Sequence, residues 1–414
     1  MFLFRNLYES SDLMKFKLKN KFKNIYKIFP LFFALIFICF ISILLMNIKG
    51  DEAKVLDTPE FLVSSINDFS SLKKTNEISF LMKDYKYYEN NSDVLKVSDG
   101  YIISKIQKDD NLFYTYIIKM DYSGNELWSY KYECSNHEYR NNMVLLGDKV
   151  YFSSPSYGTF VLNVFDGTLY KSNTSIKSFD IQLYNENLVL INYDSVTIVD
   201  FELNVLDEFE SDLLSNNDFK VFFDDFYIED ENIYVLSTKE SFLDGTFQPI
   251  IYALDDKLDY ISELPIKYDE NQGYLSDNGY YYDYFNFIKD GENFYQIGYD
   301  LHKIDKDGND TILIDSGSFY NHKVKGIFDV LVFNDFYITL EVEGEFLEDD
   351  RNSKEFHVYF NIYNKDFEIV KQYKLNDNFN QFYSMPESMN LVNGSIVVKW
   401  YDRVSYEVYI SEFE

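Results

Sequence analysis

The chain has 414 residues and carries 69 acidic side chains against 38 basic ones, a formal charge of −31. A surface that negative repels phosphate backbones and anionic headgroups, which argues against nucleic-acid binding and against lying flat on acidic lipid. With 46% hydrophobic and 19% aromatic residues it is too apolar for global disorder, and its abundant Tyr, Phe, Ile and Val favour strands.

From the N-terminus, residues 1–27 gather seven bases (Arg5, Lys15, Lys17, Lys19, Lys21, Lys23, Lys27) against Glu9 and Asp12. The next stretch, 28–48, reads IFPLFFALIFICFISILLMNI, 21 residues without a formal charge. At about 1.5 Å per residue it spans a hydrocarbon core of roughly 30 Å. Pro30 falls in its first turn, where a missing N–H costs little. Bases precede it and Asp51 and Glu52 follow it, so the positive-inside rule puts 1–27 in the cytoplasm and the bulk of the chain outside. The apolar run is longer than a signal-peptide core, and 46–50 (MNIKG) offers no small-x-small cleavage site, so the expectation is an uncleaved, single-pass anchor in the cell membrane. Met14 opens MKFKLKNKFKN and reads as a second start, which leaves this topology unchanged. Of the two cysteines, Cys39 lies in the apolar run and Cys134 far beyond it, so neither a disulfide framework nor a Cys-based zinc site is expected.

Residues 49–76 are mixed and polar, with Pro59 and several Ser, and read as a stalk or linker. From 77 to 414 short Ile/Val/Tyr/Phe runs alternate with Asn/Asp/Gly turns, the pattern of consecutive strands. A turn followed by an apolar strand recurs at 98–104, 146–154, 184–192, 229–237, 289–298, 333–341 and 392–400. The spacing averages about 48 residues, near that of propeller repeats. Each unit suits an antiparallel sheet of about four strands, too thin to stand alone. Seven such blades stacked radially bury their faces against each other and leave few open edges. The expected fold is therefore an all-β, seven-bladed propeller of four-stranded blades. The last unit ends at EVYISEF, one strand short, and 78–88 precedes the first turn, so 78–88 is expected to complete the blade holding 396–410 and close the ring.

Within these repeats, MDYSGNELWSYKY (120–132) resembles the unit of quinoprotein-like propellers: a strand ending in Asp, a Gly-bearing turn, then Leu-Trp. IDKDGNDTILI (304–314) is similar without the Trp, and the other units keep only the turn. The resemblance implies a fold. Cofactor-binding members of that family need a metal and polar groups around a quinone, commonly with a vicinal disulfide. The chain has no Cys-Cys pair, so no cofactor is expected.

Four His are scattered without metal-ligand spacing, and no nucleophile-elbow, zincin or phosphate-loop pattern occurs. No metal site is expected; Asp305, Asp307 and Asp310 come nearest to a hard-cation set, but Gly308 sits fourth where an EF-hand loop needs it sixth. The densest aromatic patch, Tyr280, Tyr281, Tyr282 and Tyr284 around Asp283, supplies the candidate binding residues, since such faces stack on sugars and other flat ligands. Two functions fit. One is a non-catalytic, membrane-anchored extracytoplasmic binding or scaffold protein that presents its propeller to a protein or glycan partner. The other is a cell-surface polysaccharide-acting enzyme with carboxylates in the channel. The enzyme needs two acids about 5–10 Å apart in a concave pocket, one with a raised pKa.

Overall fold

In the computed structural model the seven repeat turns fall between the first and second strands of seven antiparallel sheets. The structure describes residues 72–81, 86–87, 91–92, 94–109, 112–135, 140–267, 286–297, 300–314, 323–333, 336–346, 354–375, 384–392, 395–402 and 407–414. All lie in the unit Pro59–Glu414; the other unit, Met1–Thr58, which holds the expected membrane segment 28–48, lies outside the described residues. Among the described residues no helix is long and apolar enough to cross a membrane.

Blade 1 consists of Val94–Val97, Gly100–Asp109, Leu112–Asp121 and Glu126–Cys134, and blade 2 of Met143–Leu146, Lys149–Phe152, Thr159–Asn163 and Leu169–Asn173. Blade 3 is Asp180–Tyr184, Asn187–Ile191, Ser195–Asp200 and Val205–Glu210; blade 4 is Phe219–Glu229, Asn232–Ser241, Phe247–Asp255 and Tyr260–Pro265. Blade 5 is Asn286–Asp290, Asn293–Ile297, Leu301–Ile304 and Asp310–Ile314; blade 6 is Lys323–Phe333, Phe336–Phe346, Lys354–Asn364 and Ile369–Lys374. Blade 7 joins Ser384–Val392, Ser395–Asp402 and Glu407–Phe413 to Lys74–Leu81 from the other end of the chain. The first strand of every blade touches the first strand of the next, and Ser384–Val392 touches Val94–Val97, so the ring closes. Four antiparallel strands return the chain to the face where the blade began. The described strand ends that lead from one blade to the next therefore share one face, and the ends joined by the inner hairpins share the other.

The expected closure holds in kind, with a shifted segment. Lys74–Leu81 pairs along Glu407–Phe413, from Lys74 opposite Phe413 to Leu81 opposite Glu407, so the closing strand starts before residue 78. Lys86 and Tyr87 pair instead with Lys108 and Gln107 of blade 1. The register is fixed by side chains as well as by the ladder. Ile78 is buried, Asn76 Nδ2 donates to Tyr101 Oη at 3.3 Å, and Ser411 Oγ donates to Glu77 Oε2 at 2.7 Å. A slip of one residue turns all three to the wrong face.

Two local devices repeat around the ring. The first lies five residues before each inner hairpin turn, at Asp180, Asp225 and Asp329. Each carboxylate accepts the backbone N–H of the following residue, at 2.6, 2.8 and 2.8 Å. Asp329 also accepts the Met389 N–H of blade 7 at 2.7 Å, and Asn142 Nδ2 of blade 2 donates to Asp180. The same register position holds Asn142, Asn286 and Ser388 in blades 2, 5 and 7. N–H groups are thereby satisfied at the start of the inner strand of blade 3 and beside the bulges in the inner strands of blades 4 and 6.

The second device is the turn before the outer strand. Asp121, Asp200, Asp255 and Asp305 each accept two backbone N–H groups, from two and four residues on, at 2.8–2.9 Å. Asn364 does the same in blade 6, at 3.0 and 2.9 Å. The fourth position is left-handed: Gly124 and Gly308 at φ of 82° and 80°, but also Leu203, Leu258 and Phe367 at 58°, 58° and 59°. Leu203 and Leu258 are buried between blades, and that burial offsets the strain of a branched residue in this region.

The resemblance to quinoprotein-like repeats acquires a physical content at Trp128. Its Nε1 donates to Val164 O of blade 2 at 2.9 Å, and its ring lies against Gly167, where a Cβ would sit 2.6 Å from two ring atoms. The indole thus docks one blade on the turn of the next.

Blade height is uneven. The middle strands of blades 1, 4 and 6 have 9–11 residues; those of blades 2, 3 and 5 have 4–6. The Asp, Asn or Ser position stands five residues before the turn in tall and short blades alike, so the extra length of the tall blades lies on the crossing side of it. Bulges at 223–225 and 327–329 mark where the inner strands of blades 4 and 6 leave the common level.

Candidate functional site: a notch between a short and a tall blade

Blade 4 rises beside the short blade 3, and the chain crosses between them through a 3-10 turn, Ser211–Leu213. That crossing is held by its own polar groups. Ser211 N donates to Asp194 O at 2.8 Å, Val221 N to Ser215 Oγ at 3.0 Å, and Phe219 N to Asn216 Oδ1 at 3.1 Å. Its apolar side chains are left to face outward or into the gap beneath.

The gap is a pocket of about 360 Å³. Phe209 and Tyr252 form its buried floor, with half-buried Phe219 and exposed Tyr260 as walls. Leu213 and Leu214 form the rim on the crossing. Two charges border it: Lys239, whose Nζ stands 3.5 Å from the centre of the Phe219 ring, and Glu263. Burial and the nearby Glu263 carboxylate push the Tyr252 hydroxyl well above its ordinary range, so it stays neutral. Tyr260 is raised by the same two causes. The apolar surface continues beyond the pocket. Leu213 is 71% exposed, and Phe242 and Leu243, at the tip of the blade 4 hairpin, are 58% and 85% exposed. Phe242 N donates to Asp218 O at 2.8 Å, which sets that tip beside Phe219.

A cluster of buried carboxylates and lysines with shifted titration lies between blades 7 and 1. Glu387 is fully enclosed and its carboxyl is raised by burial, against the pull of Lys399 at 2.8 Å. Lys399 also donates to Ser104 O at 3.1 Å. Burial lowers Lys105 to about 8; Glu126 raises it and Lys399 lowers it further. At the other end of the interface, burial pushes Glu412 up, but hydrogen bonds from Lys96, Tyr101 and Ser395 outweigh it and hold the carboxyl below its usual range. These groups are engaged with one another inside the ring.

Of the residues singled out by sequence, Asp305 anchors an outer-strand turn: it accepts the Asp307 and Asn309 N–H groups, which hold it below the usual carboxylate range together with the Asn309 amide. Asp310 faces the other way, with Oδ2 2.9 Å from His302 Nδ1. Asp307 is exposed at the turn. Among the described residues no three His, Cys, Asp or Glu side chains converge as a metal would require. Tyr280, Tyr281, Tyr282 and Tyr284 lie outside the described residues. The pocket residues were not singled out by sequence. Leu213-Leu214 and Phe242-Leu243 beside turn residues were the available signal.

No family model matches the chain, and no curated protein sequence matches it. Among solved structures, BamB from Moraxella catarrhalis aligns with 11% identity and a TM-score of 0.44 over 82% of this chain and 97% of that one. The N-terminal domain of Nup159 aligns with 10% identity and a TM-score of 0.45, over 83% and 95%. BBS1N, solved in complex with ARL6DN, gives 8% identity and a TM-score of 0.45, over 82% and 96%. No role passes from these proteins to this chain at such distances. Its own strand pairing establishes it as a seven-bladed propeller of four-stranded blades.

Proposed function

We propose that the chain is a membrane-anchored, extracytoplasmic binding or scaffold protein whose propeller docks a protein partner. The observation that carries this reading is the notch between blades 3 and 4, a pocket of rings and leucines with Lys239 and Glu263 in its lining, bordered by exposed Leu213 on the crossing and by Phe242 and Leu243 at the blade 4 hairpin tip. Exposed aliphatic side chains grouped around a pocket mark an interaction surface more than a catalytic one. The anchor rests on the 28–48 apolar run and on the bases before it. The polysaccharide-enzyme reading has less support, because Glu387, the carboxyl raised by burial, is already paired with Lys399.

Two measurements on the full chain in its own cells test this. Protease added to intact cells should digest the propeller and spare residues 1–27; a protected propeller sinks the topology. A photo-crosslinking side chain at Leu243 should give a discrete protein adduct, and one at Val370, exposed on the outer strand of blade 6, should give none. No adduct from position 243, or equal adducts from both, removes the docking reading.

A further inference from the structure

We infer that the notch between blades 3 and 4 receives a cationic peptide segment that inserts one bulky apolar side chain. The inference rests on the docking reading above and names the chemistry of the partner.

Size comes first. About 360 Å³ is near the lower end of ligand-pocket volumes, room for one large side chain and not for an extended ligand. The walls are rings and leucines, and the flanking Leu213, Phe242 and Leu243 extend the apolar contact to the neighbours of an inserted residue.

Charge comes second. Asp212, Asp218, Asp244 and Glu263 are all exposed on the strands and turns that frame the notch. The two lysines of the same region are drawn onto rings, Lys239 over Phe219 at 3.5 Å and Lys220 over Phe222 at 4.5 Å. An apolar anchor inside an acidic surround is complementary to a partner with the reverse sign, and the field steers such a partner inward.

The alternatives fit less well. A sugar ring stacks best on a broad open aromatic face, yet Phe209 and Tyr252 are buried and Phe219 is capped by Lys239, which leaves Tyr260 as the one open ring of the lining. A second copy of this propeller brings like charge to the contact, which costs affinity.

The test uses the full chain in a non-ionic detergent and three short fluorescent peptides. One has a Leu-Phe pair flanked by lysines; in the second glutamates replace the lysines, and in the third serines replace the Leu-Phe pair. Polarisation should show the first binding at least about tenfold more tightly than either other, and losing affinity as salt rises. Leu213→Arg and Leu243→Arg, both at exposed positions, should each weaken it about tenfold or more with the melting curve unchanged, while Val370→Arg leaves binding as it was. Equal binding of the glutamate peptide, indifference to Leu213→Arg, binding of none of the three, or a neutral oligosaccharide competing at the site overturns the inference. If the Leu243 adduct forms in cells and the lysine peptide fails, the partner's chemistry is wrong and the docking reading stands. If the adduct is absent too, both fall.

Discussion

The interface between blades 3 and 4 and the one between blades 7 and 1 solve the same packing problem differently. The first is a dry layer: Phe179, Val189, Ile191, Val196 and Ile198 of blade 3 meet Val221, Phe223, Phe226, Val235 and Ile250 of blade 4. The second has a smaller apolar centre around Ile78, Val94, Ile103, Ile118, Val397 and Ile410. Ionic groups flank it on both sides, Glu387 with Lys399 near the crossing face and Glu412 with Lys96 and Tyr101 near the other. Blade 4 follows blade 3 along a continuous chain, so proximity brings the two together and apolar area does the rest. Blade 7 meets blade 1 and the closing strand across about 300 residues of chain, so proximity along the chain gives no help there. There the polar partners select a single register, because each buried charge tolerates one position of its neighbour and a greasy surface tolerates several.

That contrast can be broken most decisively at Phe223, fully buried in the dry layer. Phe223→Ala should cost about 3–5 kcal/mol by the loss of transfer energy and the cavity left behind, read from urea unfolding. A cost below about 1 kcal/mol would mean that the layer is loosely packed. At the ionic interface, Lys399→Met should cost on the order of 3 kcal/mol, since it strands the Glu387 carboxylate. Adding Glu387→Leu to it should recover most of that loss; failure to recover would show that the pair contributes net stability rather than register.

A smaller effect is expected at Lys105. Its folded pKa of about 8 lies below the ordinary 10.5, so between those values the unfolded chain holds a proton that the folded chain has released. Stability from this group therefore rises as pH climbs from about 8 towards 10.5. Lys105→Met should remove that rise and raise stability at pH 7; parallel pH profiles for the two proteins would refute it. The smallest change is at Gly167, left-handed and against the Trp128 ring, where Gly167→Ala should cost about 1–2 kcal/mol. Thermal melting of the double variant with Trp128→Phe should show part of that cost relieved.

Much of the ring was legible from sequence because a hairpin turn and the strand after it leave a local mark. Seven Asn/Asp/Gly turns before apolar runs gave the blade number, and the unit left one strand short gave the closure. The Asp, Asn or Ser five residues before each inner turn went unread. Where it is Asp180, Asp225 or Asp329 it satisfies the following N–H of the inner strand, and in sequence such a residue looks like any polar one. The outer turns were legible in the other units too, but only 120–132 and 304–314 showed more of the repeat motif, with Gly124 and Gly308 at its glycine position. Leu203, Leu258 and Phe367 take the same left-handed position in others, paid for by burial that no local window displays. For the same reason Asp305 resembled a cation ligand, although it is one of a set with Asp121, Asp200 and Asp255. The notch was hidden because it depends on blade 4 being taller than blade 3, a relation between segments and not a property of either.

The pairing of Lys73 with Glu414 carries one more consequence. Lys73 N donates to Glu414 O at 2.9 Å and Glu414 N to Lys73 O at 3.0 Å, so the two ends of the ring face each other as the two sides of an outer-strand turn do. A short Asp-x-x-Gly-Asn linker between them would create a seventh such turn, and the covalent break could be moved to any of the other six. A circular permutant of residues 72–414 opened at the blade 3 turn, for example, would keep every ladder of the ring while exchanging which blade is last to be sealed.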